Sequence, residues 1–305
     1  RVLILQLGFY VQDENTVNDR LKLTYGLRVD LPIYFSDIEP NPALDPLSFQ
    51  DADDADLSID VSELPSGNLM FSPRFGFNYD LSGDRSTQLR GGTGIFTGRI
   101  PFVWISNQAG NRGINNPTGI GVVNYTEDDF RFPQVWKSNL ALDHKLGQGL
   151  FGNLELIYGK DVNAITVYNA NLTAPTGTLA DGRPVFDRSD NRINPAVDGA
   201  YVIGNSNDGY QLNITGKLRK TFNSGIDASG AYNYNLSKDI LTSTDISQFL
   251  YEGNAISGDP NQPALSFSQF GLQNRIIASG GYSKEYGNFK TSIALFYEAG
   301  QGGRA

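Results

Sequence analysis

Leu21-Lys22-Leu23-Thr24-Tyr25-Gly26-Leu27-Arg28-Val29-Asp30 alternates strictly between apolar and polar or small residues. A strand sends successive side chains to opposite faces. Leu21, Leu23, Tyr25, Leu27 and Val29 therefore line one face, and Lys22, Thr24, Gly26, Arg28 and Asp30 the other. The same period of two recurs where Tyr210, Leu212, Ile214 and Leu218 oppose Gln211, Asn213, Thr215, Lys217 and Arg219. It recurs again where Ile226, Ala228, Tyr232, Tyr234 and Leu236 oppose Asp227, Ser229, Asn233 and Asn235. Worked outward, the pattern predicts about ten strands, near 2–13, 20–31, 70–81, 87–98, 133–146, 150–168, 208–221, 226–237, 268–284 and 288–298.

The connections between these strands are of two kinds. Short turns at 14–19, 82–86, 147–149, 223–225 and 285–287 alternate with long segments at 32–69, 99–132, 169–207 and 238–267. Loops of that length without structure are uncommon in compact soluble domains. Tight turns at one end and long loops at the other are the pattern of an antiparallel transmembrane β-barrel in the bacterial outer membrane, with turns periplasmic and loops extracellular. Phe9, Tyr79, Trp136, Tyr158, Tyr234 and Tyr297 fall near expected strand ends, where amphipathic rings meet the membrane–water interface. The same rings would serve as strand formers in a sandwich core. It is the loop asymmetry that favours the barrel.

Composition removes other classes. The chain of 305 residues carries 24 Lys+Arg against 33 Asp+Glu, a net charge of -9, which offers no electrostatic footprint for nucleic acid. With no cysteine there is neither a disulfide framework nor a thiolate metal site. No run of about 18 apolar residues could cross a membrane as a helix, and the first residues show no signal peptide with a small-residue cleavage site. The first expected strand ends at a short turn and the last follows one, so Arg1 and 300–305 are both expected on the long-loop side. A complete bacterial barrel would keep its termini on the periplasmic side. The expectation is therefore one domain, 1–305, forming part of a larger barrel whose edges pair elsewhere, since open sheet edges are not tolerated in lipid.

Two strings carry a family resemblance. Leu7-Gly8-Phe9-Tyr10-Val11-Gln12-Asp13-Glu14 followed by 21–30 is one; Phe71-Ser72-Pro73-Arg74-Phe75-Gly76-Phe77-Asn78-Tyr79-Asp80 followed by Leu89-Arg90-Gly91-Gly92-Thr93-Gly94-Ile95-Phe96 is the other. They resemble the barrel hairpins of TonB-dependent outer-membrane receptors, most of all the Oar-like branch with its carboxypeptidase-regulatory-like domain. The resemblance extends over about the first 160 residues and departs from the family at Asn15, where an aromatic is expected, and in lacking an aromatic-ended final strand. It implies a 22-stranded barrel, a plug domain and a TonB box outside 1–305, and import of a scarce solute or peptide with energy from the TonB complex. A surface lipoprotein partner is also open.

Candidate chemistry is sparse. Asp51, Asp53, Asp54 and Asp56 crowd one loop, and Ca²⁺ wants six to eight oxygens, yet the spacing lacks the glycine and distal glutamate of an EF-hand, so a solvated acidic loop is the expectation. His144, the one histidine, cannot make a two-histidine metal site and is expected near the periplasmic rim. Gly91-Gly92-Thr93-Gly94 continues into strand residues, not a helix with lysine, which excludes a phosphate loop; its glycines are expected to relieve crowding beside a plug. Arg28, Arg74, Arg90, Lys137, Lys217 and Arg219 fall on polar strand faces and are expected to face the lumen, against the plug or along a solute path. Nothing assembles an acid, a base and a nucleophile, so neither an enzyme nor a cofactor is expected. The alternatives to the energised transporter are a passive or structural outer-membrane barrel and a soluble β-rich adhesin or sandwich.

Overall fold

The computed structural model describes residues 2–35, 37–114, 119–186, 191–241, 247–254 and 256–301. Arg1 and 302–305, which bear part of the expectation about the chain's ends, lie outside the described residues.

Ten long strands form the wall: β1 (Leu3–Thr16), β2 (Leu21–Phe35), β3 (Met70–Asp80), β4 (Thr87–Thr97), β5 (Gln134–Gly147), β6 (Leu150–Asn169), β7 (Tyr210–Thr221), β8 (Ile226–Asp239), β9 (Asn274–Tyr286) and β10 (Phe289–Gly300). Each pairs antiparallel with the next in chain order. β1 and β10 end the path, and the sheet is not closed on itself. The strands agree with the period-two reading except at β9, which starts at Asn274 and not near 268. There Ser266–Phe267 pairs with Lys238–Asp239 of β8, and the Gly271 N–H donates to the Ser268 carbonyl to close a turn before the strand begins.

The short connections are true hairpin turns. Between β5 and β6, Gly147, Gln148 and Gly149 all have positive φ (89°, 49° and 75°), a conformation two glycines make accessible. A Cβ at Gly149 would also collide with the Thr221 carbonyl oxygen. In the turn after β3, Asp80 accepts N–H groups from Gly83 and Arg85 at 2.9 Å.

The wall is one layer with two unlike faces. Leu154, Leu218 and Leu295 are 58%, 56% and 75% exposed, and apolar neighbours continue across the strands. Water-facing surfaces rarely expose contiguous apolar patches beyond a few hundred Å²; a barrel presents such a face to hydrocarbon. Among the described residues no helix is long and apolar enough to cross a membrane. Phe9, expected near a strand end, sits in mid-strand opposite Val29. Trp136 and Tyr158 meet edge-on at 5.9 Å on the long-loop half of the wall.

The long connections are where the structure departs from the sequence reading, which leaves them as loops. They carry a second folded layer, a cap. Its strands Ile120–Thr126 and Val197–Ser206 pair with each other in parallel, and the latter pairs antiparallel with Ala164–Asn169, the part of β6 that runs on past the wall. The sheet is therefore not wholly antiparallel. Two short helices, Val103–Gly110 and Ser247–Gly253, join it. Two apolar clusters hold the cap together. One is built around Trp104, Ile105, Phe130, Phe132, Tyr201 and Leu250, the other around Phe49, Val61, Val123, Tyr168, Val197 and Val202. Among the described residues the buried apolar side chains lie here or where a wall strand enters the cap, except Ala141 in mid-wall.

Candidate functional site

The wall's register brings the six basic residues picked out in the sequence onto a single face, because residues directly opposite in an antiparallel ladder point the same way. Gly26 lies opposite Arg74, Arg74 opposite Gly94, Gly94 opposite Lys137, and Lys137 opposite Gly159. Gln12 precedes this row and Gln211 and Ser237 continue it. Long side chains thus alternate with glycines across seven strands, and the small Ser237 takes the glycine's place on the eighth. The glycines have a physical reason: a Cβ at Gly94 would come within 3.1 Å of Arg74 Cγ, and one at Gly159 within 2.9 Å of Gln211 Cγ. Each glycine lets its neighbour's long side chain lie flat along the sheet. Arg28 is two residues along β2 from Gly26, and Arg90, Lys217 and Arg219 fall on the same face in rows nearer the short turns.

The six differ in their partners. Arg28 makes a two-pronged pair with Asp30, Nε to Oδ2 at 2.8 Å and Nη2 to Oδ1 at 2.7 Å. Asp30 is 1% exposed, and the pair lies over Gly8, where a Cβ would meet Arg28 Nη2 at 2.7 Å. Arg90 bonds Asp143 at 2.8 Å and approaches Glu155 at 3.4 Å, while Asn153 Nδ2 donates to Asp143 at 2.7 Å. Arg74 lies over the Phe96 ring, 4.7 Å from its centre, a cation–π contact. Among the described residues Lys137, Lys217 and Arg219 make no ion pair within 4.0 Å. The carboxylates Asp30, Asp143 and Glu155 were not singled out in the sequence, although alternation alone puts them on the polar face.

The other sequence candidates lie apart. Asp51 sits at the head of the hairpin formed by Phe49–Gln50 and Asp56–Leu57 and accepts the N–H groups of Asp53 and Ala55 at 2.9 Å. Asp54 takes the turn's positive φ of 62°. Among the described residues no group of three or more acid, histidine or cysteine side chains is gathered as a metal would need. His144 Nδ1 meets Thr87 Oγ1 at 2.8 Å on the apolar face, close to the β5–β6 turn. In the glycine run, Gly92 and Gly94 face the polar side, whereas Gly91 lies against Phe77 on the apolar side, where a Cβ would meet the ring at 2.7 Å.

The cap holds an acidic centre that sequence reading missed. Tyr168 donates its hydroxyl to Glu127 Oε1 at 2.9 Å, and Tyr125 donates to Asp128 Oδ1 at 2.9 Å. Burial raises the Glu127 carboxyl above the usual carboxylate range, with the Tyr168 bond opposing and Asp129 adding to the rise.

Comparison with known proteins agrees with this geometry. Residues 4–119 match the family model of the outer membrane beta barrel domain. The fold resembles the outer membrane transporter YddB from Escherichia coli with a TM-score of 0.53 at 13% identity, over 92% of this chain and 31% of that one. It resembles FpvAI, solved in complex with pyocin S2, with a TM-score of 0.51 at 13% identity, over 99% of this chain and 32% of that one. No curated protein sequence matches. The chain is thus an all-β, outer-membrane-barrel sheet of the bacterial outer membrane. In fold it is similar to transporters of that membrane, and it spans just under a third of the length of the two described.

Proposed function

We propose that residues 1–305 are one domain, a stretch of wall and extracellular cap from an energised outer-membrane importer of the TonB-dependent type, in its Oar-like branch. In this reading the polar face lines the lumen. Arg28, Arg74, Arg90, Lys137, Lys217 and Arg219 face a plug domain carried elsewhere in the same protein. The cap captures a scarce solute or peptide, with a surface lipoprotein as a further partner, and the TonB complex supplies energy through the plug. The acidic turn at Asp51 serves the cap as a solvated hairpin. The reading involves no catalytic step.

The observation that carries this reading is the single polar face that gathers the six cations and on which long polar side chains, Arg74 and Lys137 among them, alternate with glycines. Paired cations such as Arg28 and Arg90 stiffen the wall. Lys137, Lys217 and Arg219 keep charge available for a surface docked against them, and the glycines keep that surface close. Likeness to solved transporters supports the fold behind it.

Planar-bilayer recording of the whole protein tests the reading without knowledge of the solute. A plugged importer is electrically silent until mild urea loosens the plug, and then conducts. Steady conductance from the first insertion would instead support a passive pore.

A further inference from the structure

On the polar face, where β7, β8 and β9 meet the turn before β9, lies a hollow of about 440 Å³. That volume is in the range of small-molecule sites, about 300–1,000 Å³. Its floor is an array of uncharged side chains in register: Asn213 faces Asn235, and Thr215 faces Asn233. Asn233 Nδ2 donates to Thr215 Oγ1 at 2.8 Å, whereas Asn235 Oδ1 is shielded from solvent with no hydrogen-bond partner among the described residues. An acceptor left in that state is costly unless something supplies a donor. The nearby Arg275 is occupied, bonding Glu298 at 2.7 Å and 2.8 Å, so the site presents little uncompensated charge. At its lip stands Phe270, 70% exposed.

We propose that this hollow is a binding site for a neutral saccharide unit. Carboxamides and a hydroxyl match ligand groups that both donate and accept, which is what sugar hydroxyls do. The open Phe270 ring offers a flat apolar surface to the C–H face of a pyranose. Among the residues that line the hollow, a formal anion or cation finds no free counter-charge. A peptide strand is a poorer fit, because at the floor the backbone groups of β7 and β8 are engaged in the wall's own ladder and only side chains are on offer. The inference rests on the lumen reading above for its transport meaning, but the site itself is a matter of binding.

The test uses the full-length protein in detergent, applied to an array of neutral oligosaccharides alongside uncharged tetrapeptides, with affinities then measured by calorimetry. A saccharide is expected to bind. Phe270→Ala, exposed at the lip, and Asn213→Ala, on the floor, are each expected to weaken it about tenfold, the order of one well-made interaction, with heat-modifiable migration unchanged. Asn235→Leu, which replaces a carboxamide of the floor by an apolar branch, is expected to abolish binding while heat-modifiable migration of the folded barrel persists. Absence of binding to every saccharide, binding unchanged in the three variants, or preferential peptide binding lost in the same variants would each overturn the proposal. Any of these results, with the urea-opened conductance intact, would leave the importer reading standing.

Discussion

The wall and the cap of this chain place their apolar side chains in opposite ways. In the wall, Leu154, Leu218 and Leu295 point outward and remain exposed because lipid, not protein, is their partner. In the cap, Ile105, Val123 and Leu250 are fully buried against other loop residues, as in the core of a soluble domain. One chain thus satisfies two solvents. The wall gains stability from a continuous backbone ladder and from lipid; the cap gains it from two packed clusters that only exist once four distant loops have met. The two regions should therefore fail separately.

Four substitutions would break or sharpen that contrast. The largest effect is expected for Phe130→Ala, which empties the centre of a cap cluster and should cost about 3–5 kcal/mol of local stability. Proteolysis under native conditions should then cut the long loops while the wall keeps its heat-modifiable migration. Next comes Leu156→Arg, on the apolar face between Leu140 and Ile214. A cation at mid-bilayer costs about 2–4 kcal/mol, measurable by urea titration of folding into vesicles, and the cap should be no more sensitive to protease than before. Asp30→Asn removes the charge that holds Arg28 in its two-pronged pair. A loss of about 1–2 kcal/mol should show in the same urea titration, on the wall alone. The smallest effect is pH-dependent. Because burial holds the Glu127 carboxyl above its unfolded value, its contribution is fully present below the ordinary carboxylate pKa and fades as pH rises through the raised one. Amide protection in Ile120–Thr126 and Val197–Ser206, taken relative to the intrinsic exchange rate at each pH, should therefore be greater in mild acid than at neutral pH, and Glu127→Gln should flatten the difference.

The same contrast explains what could be read in advance. Every wall strand was legible because each has one face in lipid and one away from it, so Leu21 to Asp30 spells its own structure at period two. The register then follows from the short turns, and with it the common face of Arg28, Arg74, Arg90, Lys137, Lys217 and Arg219. The cap strands give no such signal. Ala200 to Gly204 are all buried, covered on both faces, so Ala-Tyr-Val-Ile-Gly shows no alternation. Their parallel pairing with Val122–Thr126 joins segments of two different long connections, which no local rule anticipates. The partners Asp143 and Glu155 of Arg90, and the carboxamide array at Asn213 and Asn235, required cross-strand register before they could be recognised as groups.

The central claim is that the wall stands with its apolar face in lipid and its polar face turned away. Residues 1–305 contain no cysteine, so single cysteines at positions 22–29 of β2 can carry nitroxide labels in the membrane-embedded whole protein once any cysteine outside this stretch is replaced by serine. Collision with oxygen, which concentrates in lipid, should peak at Leu23, Tyr25, Leu27 and Val29. Collision with a water-soluble nickel chelate should not peak there, and oxygen accessibility should fall at Thr24, Gly26 and Arg28. Accessibility without a period of two, or with the two phases exchanged, would contradict the account.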